Sequence, residues 1–283
     1  MPREMRTEER REGPSRRLLA QMLAVGAVFA VAGIALGLTI DWFPVAAATQ
    51  AGPIDTLYDV LVAVSVPVFV LVVVVVLFSV WKFRMRPGEE NEDGPPIHGN
   101  TRLEVVWTAI PALLLVGLCS YAWAVLYDVE KAKPNTLQVG VYGQQFAWSY
   151  RYAAPGGRRF SVDELYLPCA PTGSGTSAGS PCKGRPVRFS IHSVDVIHSF
   201  WVPEFRMKQD AVPGITTTQR ITPDRLGTYP VVCTELCGTG HATMRSTVHV
   251  VPPSVFAAWL ARMGRAAPAG GSSTTAQLPG GAS

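Results

Sequence analysis

Three stretches of the chain carry no Asp, Glu, Lys or Arg: residues 18–40, 60–81 and 105–127. Each is about as long as the roughly 20-residue helix that crosses a bilayer core. The second contains VFVLVVVVVLFSVW, whose β-branched bias would suit a buried strand. Its length selects a helix instead, because a strand spans hydrocarbon only inside a closed barrel. The overall charged content of 16% against 48% hydrophobic residues is low for a soluble protein, and these runs are the reason.

Charge placement orients the helices. The leading segment MPREMRTEERREGPSRR is rich in Arg, Lys82, Arg84 and Arg86 follow the second run, and Arg102 precedes the third. Residues 41–56 have no Lys or Arg. Positive charge stays on the cytoplasmic side, so the N-terminus and loop 82–104 are expected inside, and everything after Asp128 outside. This predicts a multi-pass protein of the bacterial plasma membrane with an extracytoplasmic C-terminal domain. The net charge of +4 is modest and forms no nucleic-acid stripe. Residues 45–51, VAAATQA, also suit signal cleavage, so the first run reads either as a retained helix or as a signal segment.

The expected organisation is a cytoplasmic basic tail (1–17), an N-terminal transmembrane helix or signal segment (18–40) and a transmembrane hairpin (57–128). An extracytoplasmic β-domain (134–263) and a flexible tail (264–283) follow. The β reading rests on TLQVGVYGQQFAWSYRYA, PVRFSIHSV, TTTQRITPD, GTYPVVCTEL and STVHVVPP, short Val- and aromatic-rich runs between Gly and Pro turns. SVFAAWLARM reads as a closing helix.

The five cysteines fall into three groups. Cys119 lies in a membrane run and reads as a buried small hydrophobe. Cys169 and Cys182 bracket a Gly/Ser-rich loop, and outside the cytoplasm such a pair is expected to form a disulfide. Cys233 and Cys237 belong to CTELCGTGHATM, with the spacing C-x3-C-x3-H-x2-M through His241 and Met244. A disulfide would leave the His and Met unexplained. Thioether is a poor zinc partner, and the spacing is neither C-x-x-C nor C-x-x-C-H. Thiolate, imidazole and thioether together suit copper, and two thiolates can bridge two ions. Each ion then needs an imidazole. His98 lies on the cytoplasmic side and His249 on an alternating strand, which leaves His198 and His192 as candidates for the second.

DVIHSFWVPEFRMKQDAVPG, GTYPVVCTELCGTGHATM and GQQFAWSYRY together resemble subunit II of haem–copper cytochrome c oxidases, from about residue 55 to 262. The resemblance implies a membrane-anchored, cupredoxin-like Greek-key β-barrel carrying a binuclear copper (CuA) centre. It selects His198 over His192 and implies His198, Cys233, the Glu235 carbonyl, Cys237, His241 and Met244 as copper ligands. The Glu235 carboxylate resembles a ligand to a magnesium or manganese ion shared with subunit I. Electrons are then accepted from cytochrome c near Phe146, which stands where the family carries Trp, with Trp148 and Tyr142 shaping the route. Glu104 corresponds to a residue at the mouth of a proton path, and is also placed to favour the helix dipole. The implied partners are the haem-bearing subunit I, subunit III and cytochrome c. A nitric oxide reductase subunit and a membrane-anchored copper-binding protein are the alternatives. A copper-free quinol oxidase subunit is disfavoured by the ligand set.

Overall fold

A computed structural model describes residues 16–85, 87–88 and 99–266. Most of both expected tails, His98 and much of loop 82–104 lie outside the described residues. The chain divides into a unit of 1–42 with 55–123 and a unit of 43–54 with 124–283.

The first unit is helical. Helices α1 (Arg16–Thr39), α2 (Ala51–Phe83) and α3 (Thr101–Val129) are each long and apolar enough to cross a membrane, and their apolar windows are unburied within the protein. Cys119 is accordingly exposed on α3, not buried as expected, because a helix apolar all round turns its side chains to lipid or a partner. Pro67 and Pro111 sit inside α2 and α3, as membrane helices tolerate. Gly33 and Gly37 bring α1 against α2. A Cβ at either would stand 2.8 Å from Val66 or 2.7 Å from Val62, so only glycine permits this approach. Small residues four apart are the usual device for close helix packing in lipid. At the start of α3, the Asn100 side chain accepts the Leu103 N–H, while the Glu104 carboxylate accepts the Asn100 N–H at 3.1 Å. Glu104 thus helps cap the helix.

The second unit is a two-sheet sandwich. Its strands are β1 (Leu137–Gln144), β2 (Ala147–Ala153), β3 (Arg159–Val162), β4 (Leu165–Pro171), β5 (Cys182–Gly184) and β6 (Val187–Ser193). They continue with β7 (His198–Trp201), β8 (Lys208–Ala211), β9 (Thr217–Ile221), β10 (Gly227–Cys233) and β11 (Arg245–Val251). One sheet has the order β3-β2-β1-β6-β9, the other β5-β4-β11-β10-β7-β8. The β1–β6 and β11–β4 pairs are parallel. Inward residues alternate with outward ones, as in Trp148, Tyr150 and Tyr152 on β2 and Val187, Phe189 and Ile191 on β6. The sequence alone did not single out β3, β4, β5, β7 or β8. Cys169 and Cys182 are disulfide-bonded, with Cα atoms 5.6 Å apart.

Helix α4 (Pro253–Ala266) runs past the expected domain end at 263, since Gly264 is buried against Ala154. A segment before α2 also joins this unit. Ala47, Ala48 and Gln50 are buried. The Ala47 N–H donates to the Glu204 carbonyl, the Thr49 N–H to the Thr222 carbonyl, and the Asp224 N–H to the Ala47 carbonyl. Residues 43–50 therefore form a strap built into the β-domain, although 45–51 read as a candidate cleavage region.

Candidate metal centre

The centre is assembled from two segments. The first is the turn into β7, which carries His198. The second joins β10 to β11 and carries Cys233, Glu235, Cys237, His241 and Met244. Strand pairing of Cys233 with Phe200 sets the two side by side. The Thr234 N–H donates to the Ser199 carbonyl at 3.0 Å, and the Cys233 N–H to the Met244 carbonyl at 3.2 Å, which closes the loop. Gly238 adopts φ 135°, a conformation that favours glycine, and a short 3-10 turn (His241–Thr243) delivers Met244.

The donor atoms converge. Cys233 Sγ is 3.9 Å from His198 Nδ1 and 3.9 Å from Cys237 Sγ. Cys237 Sγ is 3.7 Å from His241 Nδ1 and 3.8 Å from Met244 Sδ. The Glu235 carbonyl oxygen is 3.3 Å from Cys233 Sγ. Donors about 2.0–2.3 Å from a shared ion stand roughly 3.3–3.8 Å apart at tetrahedral angles, so separations of 3.3–3.9 Å are close to those of co-ligands. The sulfur pair has one imidazole against Cys233 and another, with the thioether, against Cys237. That arrangement fits two soft ions sharing two thiolates better than one ion. His198 and Met244 are wholly buried, and both cysteines are buried. Burial, then the neighbouring Cys233, pushes the Cys237 thiol up to about 11, a penalty that a bound cation would offset.

Surrounding groups hold the donors. His198 Nε2 lies 2.8 Å from Asp195 Oδ1, which leaves Nδ1 facing Cys233. The Gln145 backbone N–H donates to Asp195 Oδ2 at 2.7 Å, while its side-chain amide donates to the Cys237 carbonyl. One chain of hydrogen bonds therefore links both ligand segments through the β1–β2 turn. Burial raises the Asp195 carboxyl, but the bonds from Gln145, His198 and Val196 outweigh it, and the group titrates below its usual value. Trp148 meets the His198 ring edge-on at 6.0 Å and Phe200 at 5.6 Å, which walls the centre from water. Gly143 leaves room for this, since a Cβ there would stand 3.0 Å from His198 and 3.1 Å from Trp148.

The other expected site residues divide. Phe146 lies on the metal loop: a Cβ at Gly240 would meet its ring at 2.4 Å, and one at Gly238 at 3.1 Å. Trp148 is buried beside His198. Tyr142 is turned to the outer sheet face, stacked on His192 at 4.8 Å, so neither belongs to the cluster. His249 bonds Glu164 and Thr228. Glu235 is exposed. Sequence reading did not assign Asp195 or Gln145 to the support of the centre. The Asp195-x-x-His198 spacing was the signal for the first. Nothing local marked the second, whose partners are 50 and 92 positions away.

Comparison with known proteins agrees. The chain matches the family descriptions "Cytochrome C oxidase subunit II, transmembrane domain" over residues 35–125 and "Cytochrome C oxidase subunit II, periplasmic domain" over 180–251. Cytochrome c oxidase subunit 2 of Thermostichus vulcanus is 32% identical over 291 aligned positions, covering 84% of this chain and 83% of the relative. Quinol oxidase subunit 2 of Bacillus subtilis is 30% identical over 215, covering 74% of this chain and 63% of the relative. The crystal structure of the periplasmic domain of cytochrome oxidase subunit II from Bradyrhizobium japonicum is 27% identical, with a TM-score of 0.39, covering 49% of this chain and 98% of that one. Three apolar helices and a cupredoxin-like domain with clustered soft donors define a membrane-anchored metal-centre subunit. The chain belongs to the cytochrome c oxidase subunit II family, an oxidoreductase component of haem–copper oxidases with an extracytoplasmic domain.

Proposed function

We propose that this chain is the electron-entry subunit of a respiratory terminal oxidase of the bacterial plasma membrane. It accepts electrons from cytochrome c and passes them to a haem-bearing subunit I, where oxygen is reduced and protons are translocated. The observation that carries this reading is the convergence of two thiols, two imidazole Nδ1 atoms, a thioether and a carbonyl on one buried end of the sandwich. A quinol oxidase subunit is among the relatives, so family membership alone does not decide the donor. The soft ligand set favours a copper centre and hence a one-electron donor.

When bound, a copper pair supplies one-electron transfer with the charge shared over two nuclei. His198, Cys233, Cys237, His241, Met244 and the Glu235 carbonyl would hold it. Asp195 keeps the His198 ring oriented with Nδ1 inward. Gln145 pins the Cys237 carbonyl. Trp148 and Phe200 exclude water, so few dipoles reorganise when the charge changes. Phe146, half-buried on the loop glycines, offers an aromatic contact surface on the metal loop for an incoming donor. The exposed Glu235 carboxylate suits a hard cation such as magnesium or manganese at the subunit I interface. Glu104 combines its capping role with a place at the mouth of a proton path.

The test is rapid mixing of the assembled oxidised complex with reduced cytochrome c. The copper absorption should bleach before any haem is reduced. Direct haem reduction with no copper phase would overturn the proposal.

A further inference from the structure

The outward face of the five-stranded sheet carries a charge pattern that the metal centre does not use. The β-domain between residues 134 and 263 has 12 Lys and Arg against 7 Asp and Glu. None of the seven carboxylates lies on β3, β2, β1, β6 or β9. Four arginines do, with outward burial patterns: Arg159 on β3, Arg151 on β2, Arg188 on β6 and Arg220 on β9. Arg188 and Arg220 are direct partners across the β6–β9 ladder. Like charges in directly opposed positions destabilise a sheet, and no carboxylate on these strands offsets them. Among the described residues, Arg188 has a long 3.4 Å contact to the Thr218 hydroxyl and its buried Nε has no partner. The Arg151 guanidinium carbon stands 3.7 Å over the Tyr142 ring, which stacks on His192. The face is thus aromatic at its centre and cationic around it.

Its position indicates an occupant. Strands β1 and β2 run from this face to the turn that carries Phe146 onto the metal loop. Arg151 is five residues along β2 from Phe146, or about 17 Å at roughly 3.3 Å per residue. A standard protein interface of about 800 Å² per partner is roughly 30 Å across. Arg188 faces Gln138, eight positions along β1 from Phe146 or about 26 Å, and Arg220 lies one strand further out, so one docked protein centred between Arg151 and Phe146 reaches Arg188 and Arg220 only at its rim.

We infer that this face docks the acidic surface of the electron-donating protein, so that the donor's redox centre comes to rest over Phe146. The inference rests on the electron-entry reading above. Complementary charge raises the encounter rate and makes it salt-sensitive, while Phe146 and Tyr142 supply the apolar contact.

The test uses the assembled oxidase with the native chain and with Arg151→Gln, Arg188→Gln and Arg220→Gln combined. The probes are a lysine-rich cytochrome c and the same protein with its lysines succinylated, which makes its surface acidic. The copper spectrum of the variant serves as the check that the centre is intact. The native enzyme should oxidise the succinylated probe with a kcat/KM that falls as salt rises. The variant should lower that kcat/KM about tenfold at low salt and flatten the salt dependence. The lysine-rich probe should not lose rate in the variant. Equal kinetics of native and variant enzyme toward the succinylated probe would overturn the inference. So would loss of a neighbouring subunit on sizing the variant complex, or loss of binding to vesicles of anionic lipid with rates unchanged, since either gives the face another occupant. If neither cytochrome reduces the copper of the native enzyme, the electron-entry reading fails, and the docking face with it.

Discussion

His198 Nε2 and Asp195 Oδ1 are 2.8 Å apart, three residues from one another on the turn into β7. The imidazole is wholly buried, while the carboxylate side chain keeps 27% exposure. The pair fixes which ring nitrogen faces the sulfurs, and it ties the imidazole to the β1–β2 turn through Gln145. Replacing Asp195 with Ala removes that acceptor. Copper affinity is expected to fall about 10- to 100-fold, with a changed EPR line shape. A chelator competition titration measures it. Unchanged affinity and line shape would show that the ring is held by packing alone.

The same carboxyl has a pH consequence. Burial opposes its ionisation, but hydrogen bonds from Gln145, His198 and Val196 hold it below its ordinary value of 3.8. A depressed carboxyl contributes stability that is complete above the ordinary value and is lost as pH falls through the lower folded value. Thermal melts of the chain should therefore show acid destabilisation beginning below about pH 4 that Asp195→Asn reduces. Parallel acid profiles for the two proteins would contradict this role.

Gly240 is in contact with the Phe146 ring at a distance no Cβ can share. Gly240→Ala must displace the ring or the loop, and overpacking of this kind costs about 1–3 kcal/mol. A lowered Tm together with slower reduction by cytochrome c is expected. Full electron uptake in the variant would remove Phe146 from the entry route.

The Cys169–Cys182 bond closes a loop with a sequence separation of 13. Cross-links of about this length stabilise by about 3 kcal/mol in the loop-closure model. Replacing both with Ser should lower Tm without altering the copper spectrum, because neither sulfur is among the clustered donors. A lost spectrum would mean that the staple also shapes the metal loop.

Two observations bear on the N-terminal segment. Gly33 and Gly37 pack against α2, and Ala47 and Ala48 are buried in the β-domain. Cleavage within residues 45–51 would cut a strap whose backbone is bonded to Glu204, Thr222 and Asp224. The mature chain is expected to retain the strap and α1, and Gly37→Ile should loosen the α1–α2 contact. Mass spectrometry of the N-terminal peptide decides: a mature terminus at Thr49 would contradict it.

Much of this was legible in the residue order. Uncharged runs located α1, α2 and α3 because hydrocarbon leaves a backbone few choices. Alternation located β1, β2, β6, β9, β10 and β11. Strands β7 and β8 escaped, being four residues each with little alternation, and β7 is buried on nearly every residue. The soft donors within one loop were visible as a pattern, since Cys233, Cys237, His241 and Met244 are local. Choosing His198 over His192 required family resemblance, because both lie in one segment and only the register of β7 against β10 brings the first to Cys233. The strap, the arginine face and the Gln145 link depend on pairings across the fold, which spacing along the chain does not encode.

The central claim is that Cys233 and Cys237 bridge two copper ions. Copper analysis and EPR of the full chain, purified in detergent and loaded with copper, test it most directly. Two coppers per chain are predicted, with a hyperfine pattern of one unpaired electron spread over both nuclei, lost in His198→Ala and kept in His192→Ala. One copper per chain with a single-nucleus pattern, or a signal that survives His198→Ala, would contradict the account.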